Sequence, residues 1–435
     1  MSTNLPCLDA AQRLLTWIGD SPTPFHTVLT AQKALDAAGF TPLRFSDRWQ
    51  LDYGKGYYIP VHDSTLIAFT VGSAMADSGN LRLALAHTDF PCFRVKPSPE
   101  LYTNGCGKLN VEGYGGMLRY SWLDRPLSIA GKVALRGDDP FHPRRVFVDF
   151  GRPVATIPSL AIHLNRSAND NLNLSLQKDM LPVVDVLEQA LGGEAFFRQA
   201  LARECGAAPS DILDYELYVY QYEQGCLVGL EETMLSSPRL DNQTSAETCI
   251  YGLTHARRER GVNLAVLFDH EEVGSRTRQG AAGSALPNVI ERIYAAFGLS
   301  RETWLRDMTD GFALSLDVAH CSHPNYPEKA DPTNRVRMNG GVTIKQAARQ
   351  SYMGSCESSA VVQALCAQAG IPCQIFVNNA DIRGGATLGS IAATYLPMQV
   401  QDAGAPIAAM HSARELMGAE DQYHLERLVT ALFQG

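Results

Sequence analysis

The chain has no stretch of about 18 uninterrupted apolar residues, the length a helix needs to cross a bilayer, so no membrane-spanning segment is expected. Residues 1–12 also lack a basic stretch leading into an apolar core, and a soluble, unexported, cytoplasmic protein without a membrane partner is the expectation. Positive charge is in deficit. With 37 Lys and Arg against 46 Asp and Glu, the formal net charge is -9, which repels phosphate backbones and argues against a nucleic-acid partner. The 10 cysteines show no CxxC pair and no regular spacing, and Cys366 and Cys373 fall inside apolar segments. Reduced thiols packed as small hydrophobes fit that pattern better than a disulfide framework or a cysteine-based zinc site.

Several catalytic signatures are missing as well. No GxSxG elbow occurs, which disfavours an α/β-hydrolase serine. His270-Glu271 begins like HExxH, but Gly274 stands where the second histidine is required. Adjacent glutamates do not by themselves keep the separation of about 5 Å or more that a glycosidase needs across a sugar. The glycines of DIRGGATLGS lack the Lys-Ser/Thr of a P-loop and read as a tight turn.

What is present is a chain of 435 residues, 45% hydrophobic and only 19% charged, able to bury a large core and long enough for two or three units. Helical apolar spacing at 8–17 and 27–38 is followed by strand-like runs at 56–59, 66–71 and 81–86. From about residue 93 the texture changes to short β-rich pieces with Gly and Pro turns, including 127–135, 145–148 and 216–221, interrupted by one predicted helix over 183–191. Longer α/β alternation then resumes. Strands are predicted at 262–268, 312–317 and 372–377, and helices at 246–257, 287–297, 358–370 and 423–433. The simplest architecture is an α/β domain (1–92 and 234–435) split by an inserted β-rich domain (93–233).

The segment LAVLFDHEEVGS, residues 264–275, carries the strongest chemical signal. An apolar run that reads as a buried strand empties into two adjacent glutamates, which repel each other and lose hydration when enclosed, so a positive charge is needed nearby. Other strands of the α/β portion end the same way: 81–86 at His87 and Asp89, and 312–316 at Asp317 with His320 and His323 just beyond. Ligands in open α/β sheets bind outside the carboxyl ends of the strands, so these distant residues can converge. Asp241, where the α/β portion restarts, and His411, at an apolar strand end, join on chemical grounds. Imidazole with carboxylate suits zinc, manganese and cobalt less specifically, and a bridging carboxylate can hold two ions.

Eight motifs occur in order: SPTPFH (21–26), AHTDFPCFRVK (86–96), AIHLNR (161–166), SPRLDN (237–242), FDHEEVGS (268–275), DVAHCSHPNYPEK (317–329), GGVTIK (340–345) and AMHSARE (409–415). Together they resemble the aspartyl aminopeptidase family of dinuclear zinc exopeptidases. The resemblance implies a zinc-peptidase-like twisted central sheet flanked by helices, with an inserted β-rich dimerisation domain, and a homo-oligomer, typically a dodecamer built from dimers. His87, Asp241 and Asp317 match the ligands of one zinc, while Asp241, Glu272 and His411 match those of the second. Glu271 matches the general base, Asp89 the carboxylate that orients the His87 ring, and His163 a histidine that reaches a neighbouring subunit's active site. His320, Lys345 and Tyr352 match positions lining the pocket for the first side chain of the substrate. The implied activity is removal of N-terminal Asp or Glu from peptides with a free amine, through a water activated by two zinc ions.

Departures touch none of the matched ligands: His270 replaces a usual Asn, Cys321-Ser322 a more apolar pair, Ala330 a common His, and GATLGS a usual GSTIGP. They put the fine substrate preference in doubt. Two alternatives therefore stand: a sibling dinuclear aminopeptidase or deacylase of neutral or broad specificity, and, from a different class, a non-catalytic oligomeric scaffold whose metals are structural.

Overall fold

The computed structural model describes residues 5–76, 79–170, 172–187 and 195–434, which divide into two compact units. One comprises residues 1–89, 225–410 and 415–435; the other comprises 90–224 and 411–414.

The larger unit is built on a nine-stranded mixed sheet. Its centre is parallel: Val262–Phe268 pairs with Leu81–His87, which pairs with Phe312–Leu316, which pairs in turn with Gln399–Gly404. Antiparallel neighbours flank this centre, with Thr65–Val71 against Val262–Phe268 and Val342–Lys345 against Gln399–Gly404. Both faces are covered by helices, so the central strands are apolar on both sides and read as continuous hydrophobic runs. Alternation assigns them: Leu66, Ala84, Ala86, Ala265, Leu267, Leu314 and Leu316 join one core, with helices Leu5–Gly19, Pro24–Ala37, Leu240–His255, Cys356–Ala369 and Asp421–Gln434. Ile67, Leu83, Leu85, Leu264, Val266 and Ala313 join the other, with helices Ala285–Ala296 and Arg301–Thr309. A separate five-stranded sheet of the same unit contains Met234–Ser237, Glu415–Gly418 and Pro406–Ala408.

The smaller unit contains a six-stranded antiparallel sheet with Ile212–Gln221 and Cys92–Thr103 in its middle and Leu127–Leu135 beside the former. Gly131 has φ 156, and a Cβ there would lie 2.0 Å from the Glu216 carbonyl oxygen on the neighbouring strand, so only glycine allows the two strands to approach. Phe93 meets Trp122 edge to face, with centroids 5.0 Å apart, in its core.

One sequence expectation needs correction, and one strand went unpredicted. Residues 183–186 of the helix predicted over 183–191 form a strand, Val183–Val186, paired with Cys106–Tyr114; residues 188–191 lie outside the described residues. Among the described residues the unit's α-helix is Phe196–Cys205, ended by Gly206 in the left-handed conformation. The chain also contains Cys92–Thr103, a long strand hidden in the sequence by Pro97 and Pro99; a register shift between Val95 and Glu100 accommodates them.

A buried acid pair clasps the helical face of the larger unit. Arg13 donates to Glu426 at 2.6 Å and Gln422 donates to Glu247 at 2.7 Å, joining helices Leu5–Gly19, Leu240–His255 and Asp421–Gln434. Burial pushes Glu426 up to about 7 despite Arg13, and burial plus Glu426 holds Glu247 well above its ordinary value. These acids keep protons that the unfolded chain would release near pH 4.5, so their contribution to stability is lost as pH rises through the folded values. Glu247→Gln is expected to lose less thermal stability than the wild type as pH rises from about 4.5 to about 7, measured by circular dichroism melts; an identical pH dependence would show that the pair is not the titrating element.

Candidate metal centre and active site

Three parallel strands bring their carboxyl ends to one edge of the nine-stranded sheet, where His87 ends one, Asp317 follows another directly, and Glu271-Glu272 come three residues after the third. His87 is the last residue of Leu81–His87 and lies opposite Phe268 in the register. After Phe268 the chain turns through His270 in the left-handed region (φ 63) into the single turn Glu271–Val273, closed by Gly274 at φ 99. Asp317 follows Phe312–Leu316, its N–H donating to the Ala403 carbonyl at 3.0 Å. Gly404 is obligatory beside it, because a Cβ there would sit 1.8 Å from the Asp317 carbonyl oxygen.

Asp241 comes from elsewhere in the chain. It lies with Asn242 in a non-helical kink near the start of Leu240–His255, after Arg239 in the left-handed conformation (φ 60), and a cis peptide joins it to Asn242. His87, Asp241 and Glu272 each offer a ligand atom, all within 4.8 Å of one another. His87 Nε2 lies 3.4 Å from Asp241 Oδ1 and 3.7 Å from Asp317 Oδ1. One imidazole facing several carboxylates is a donor set that fits zinc.

Asp89 has more to do than sequence suggested. The His87 Nδ1 atom lies 2.9 Å from the Asp89 carbonyl oxygen and 3.3 Å from its Oδ1, so backbone and side chain of one residue fix the ring with Nε2 toward Asp241. The same carboxylate accepts the backbone N–H of Glu271 through Oδ1 and that of Glu272 through Oδ2, both at 3.1 Å. Fully buried, Asp89 thus ties the histidine strand to the turn that carries both glutamates.

The electrostatics are those of crowded acids. Burial pushes Glu271 up to about 8, with His87 opposing and Asp317, Asp89 and Asp241 adding to the rise. Burial alone would lower His87, yet bonding to Asp241, Asp317 and Asp89 raises it well above the ordinary imidazole value. A dication among these groups favours the charged carboxylates and neutral imidazole that metal ligation requires.

Lys345 ends strand Val342–Lys345 and is 2% exposed, so it is no solvated surface lysine. Its Nζ donates to the Val318 carbonyl at 2.7 Å and to Asp317 Oδ2 at 3.3 Å, and it stands 4.9 Å from the centroid of the Tyr352 ring. Burial opposes its charge, while Asp317 and Asp402 beside it raise its pKa. Tyr352 is buried against Phe376 at 6.0 Å, and the exposed His320 lies 6.2 Å from the same ring. Phe376 therefore gathers the predicted substrate residues, and it also lines a pocket of about 240 Å³ with His320, His323, Lys329 and Asn378. No motif pointed to Phe376; its place opposite Lys345 in the parallel pairing explains its presence.

The remaining predicted residues lie in the smaller unit. His163 is exposed in a turn, and His411, at φ 65, has Nδ1 2.8 Å from the Gly116 carbonyl oxygen. The sequence reading also passed over Glu415, Asn242 and Gln243, all buried. Glu415 Oε2 accepts the Asp241 N–H at 3.0 Å.

A family model described as Aminopeptidase I zinc metalloprotease (M18) matches residues 17–433. A probable M18 family aminopeptidase 2 of Clostridium novyi (strain NT) is 41% identical over 415 residues, 95% of this chain and 96% of its own length. A chain in the cryo-EM structure of the Ape4 and Nbr1 complex superposes with a TM-score of 0.93 at 31% identity, covering 100% of this chain and 87% of that one. The S. cerevesiae mApe1 dodecamer shares the fold, with a TM-score of 0.83 at 24% identity over 98% of this chain and 97% of that one. The chain belongs to the M18 family of zinc metalloproteases and is an aminopeptidase, a metal-dependent peptidase hydrolase.

Proposed function

We propose that this aminopeptidase removes N-terminal Asp or Glu from peptides and uses two zinc ions, with manganese or cobalt as substitutes. The convergence of His87, Asp241 and Glu272 within 4.8 Å, with Asp317 beside them, is the observation that carries this reading. His87, Asp241 and Asp317 would hold one ion; Asp241, Glu272 and His411 would hold the other, with Asp241 shared. Zinc supplies Lewis acidity toward the peptide carbonyl and acidifies water.

The chain's own residues do the rest. Glu271 takes the proton of the attacking water on a carboxylate oxygen and passes it to the leaving amine nitrogen. Asp89 keeps Glu271 and Glu272 at a fixed spacing by holding both backbone N–H groups. His320, Lys345 and Tyr352 line the pocket for the first side chain, and the Lys345 ammonium supplies a point charge for an acidic one. Because that ammonium already serves Asp317 and Val318, it reaches a substrate carboxylate only by sharing or exchanging those partners.

His163 would act on a neighbouring copy, donating to the carbonyl oxygen under attack. Its loop supports an oligomeric assembly, since Leu160, Ile162 and Leu164 on either side of it are 61%, 47% and 75% exposed. The inserted residues 93–233 are accordingly proposed as a dimerisation domain between the catalytic segments 1–92 and 234–435, and a dodecamer like that of the S. cerevesiae protein as the assembly. Among the described residues no helix is long and apolar enough to cross a membrane, consistent with cytoplasmic work on peptides.

Glu271→Gln should lower kcat by about 10²–10⁴-fold while elemental analysis still finds roughly two metal ions per chain; activity near the wild-type level would remove Glu271 as the base. Asp89→Ala, which removes both carboxylate oxygens that accept the Glu271 and Glu272 N–H groups, is expected to weaken metal affinity about 10–100-fold in chelator competition, and unchanged affinity would reduce Asp89 to a packing role. Comparing kcat/KM on Asp-, Glu- and Leu-arylamides tests the specificity. A clear preference for Leu replaces the acidic assignment with the neutral sibling peptidase.

A further inference from the structure

Three consecutive residues at the start of helix Leu240–His255 each reach a different segment around the cluster. Asp241 donates its backbone N–H to Glu415 Oε2 at 3.0 Å. Asn242 donates Nδ2 to the carbonyl of Leu316, the residue before Asp317, at 2.9 Å. Gln243 donates Nε2 to the carbonyl of Thr88, between His87 and Asp89, at 3.0 Å. Both amide side chains are fully buried.

Gln243 also reaches in the opposite direction. Its Oε1 accepts from the Trp17 indole N–H at 2.9 Å and from Thr27 Oγ1 at 3.2 Å. An indole can only donate and a backbone carbonyl can only accept, so the amide has one orientation that satisfies both ends. The two N-terminal helices, Leu5–Gly19 and Pro24–Ala37, are thereby fastened through one side chain to the turn between His87 and Asp89.

We propose that Asn242 and Gln243 are positioning residues that set the spacing of His87, Asp241 and Asp317 for zinc. His87 ends one strand and Asp317 directly follows its parallel neighbour, so the sheet fixes their spacing, but Asp241 lies in a non-helical kink at the start of Leu240–His255 with no strand pairing to place it. Asn242 ties that helix start to one strand end and Gln243 ties it to the other, so Asp241 is held between them. Both bonds are made to backbone carbonyls, which leaves the ligand side chains free to take the metal. Helices Leu5–Gly19 and Pro24–Ala37 thus support the metal centre although they contribute no ligand to it.

This inference rests on the metal assignment above, and the test separates the two. Zinc affinity of the purified full chain would be measured by competition with a chromophoric chelator, alongside kcat, KM and the melting temperature. Gln243→Met, neutral and of similar volume, should weaken zinc binding roughly 10–100-fold and lower kcat while KM changes by less than about twofold. Leu432→Ala, a core truncation on helix Asp421–Gln434, should lower the melting temperature without changing zinc affinity. If Gln243→Met fails to fold, Asn242→Ser carries the same expectation. Wild-type zinc affinity in a folded Gln243→Met, or in Asn242→Ser, overturns the proposal. Failure of the wild-type protein itself to take up zinc overturns the metal assignment and this inference together.

Discussion

Repulsion among buried carboxylates is the constraint around which the larger unit is organised. Asp89, Asp241, Glu271, Glu272 and Asp317 share one edge of the nine-stranded sheet, with His87 and Lys345 as the basic groups among them. Like charges at such spacing in a partly desolvated site cannot all stay ionised without a cation, and the upward push on Glu271 and His87 expresses that frustration. Something rigid has to hold them in place. Parallel strands with ladder bonds on both sides do so for His87 and Asp317, and Asp89 does so for the two glutamates through their backbone N–H groups. Hydrophobic burial on both faces of those strands then supplies the stability that the site itself does not.

The backbone around the cluster shows the same demand. Arg239, His270 and Ser275 all adopt the left-handed conformation that non-glycine residues disfavour. Each stands where the chain must reverse direction to aim an acid: Arg239 before Asp241, His270 before Glu271, and Ser275 where the glutamate turn ends. The clamp from Asp89 to the two glutamate N–H groups gives the turn a reason to persist, since those donors would otherwise lack the ladder that ended at Phe268. The sharp Gly404 approach to Asp317 belongs to the same pattern of backbone fitted to ligand.

Much of this was legible in the chain itself, and the reason is periodicity. Buried parallel strands are apolar on both faces, so 262–268 could be bounded to the residue, and the abrupt change to DHEE marked where the chain leaves the core. The antiparallel insert was harder. Cys92–Thr103 contains two prolines and a register shift, which erase the alternation that would have revealed it, and Val183–Val186 is a short edge strand whose apolar residues imitate a helical stripe. Arg301–Thr309 was missed although Ser300 caps it by accepting from Thr303 N, because the helix is short and polar on most of its surface. Within the site, residues that bear ligating groups stood out by chemical type, whereas Asn242, Gln243 and Glu415 act through bonds that link positions 74, 155 and 174 residues apart. Such contacts leave no local trace in a sequence. Lys345 shows the limit from the other side: the resemblance assigned it to the substrate pocket, and nothing in the local sequence marked that the fold encloses it beside Asp317.

The central claim is that the acids at this sheet edge are arranged to hold two divalent cations. A crystal structure of the zinc-loaded protein, with anomalous data collected above and below the zinc edge, tests it most directly. The account predicts two anomalous peaks sharing Asp241, about 3.5 to 4 Å apart, one touching His87 and Asp317 and the other touching Glu272 and His411, with Glu271 bound to neither. A single peak, peaks elsewhere, or Glu271 serving as a ligand would contradict it.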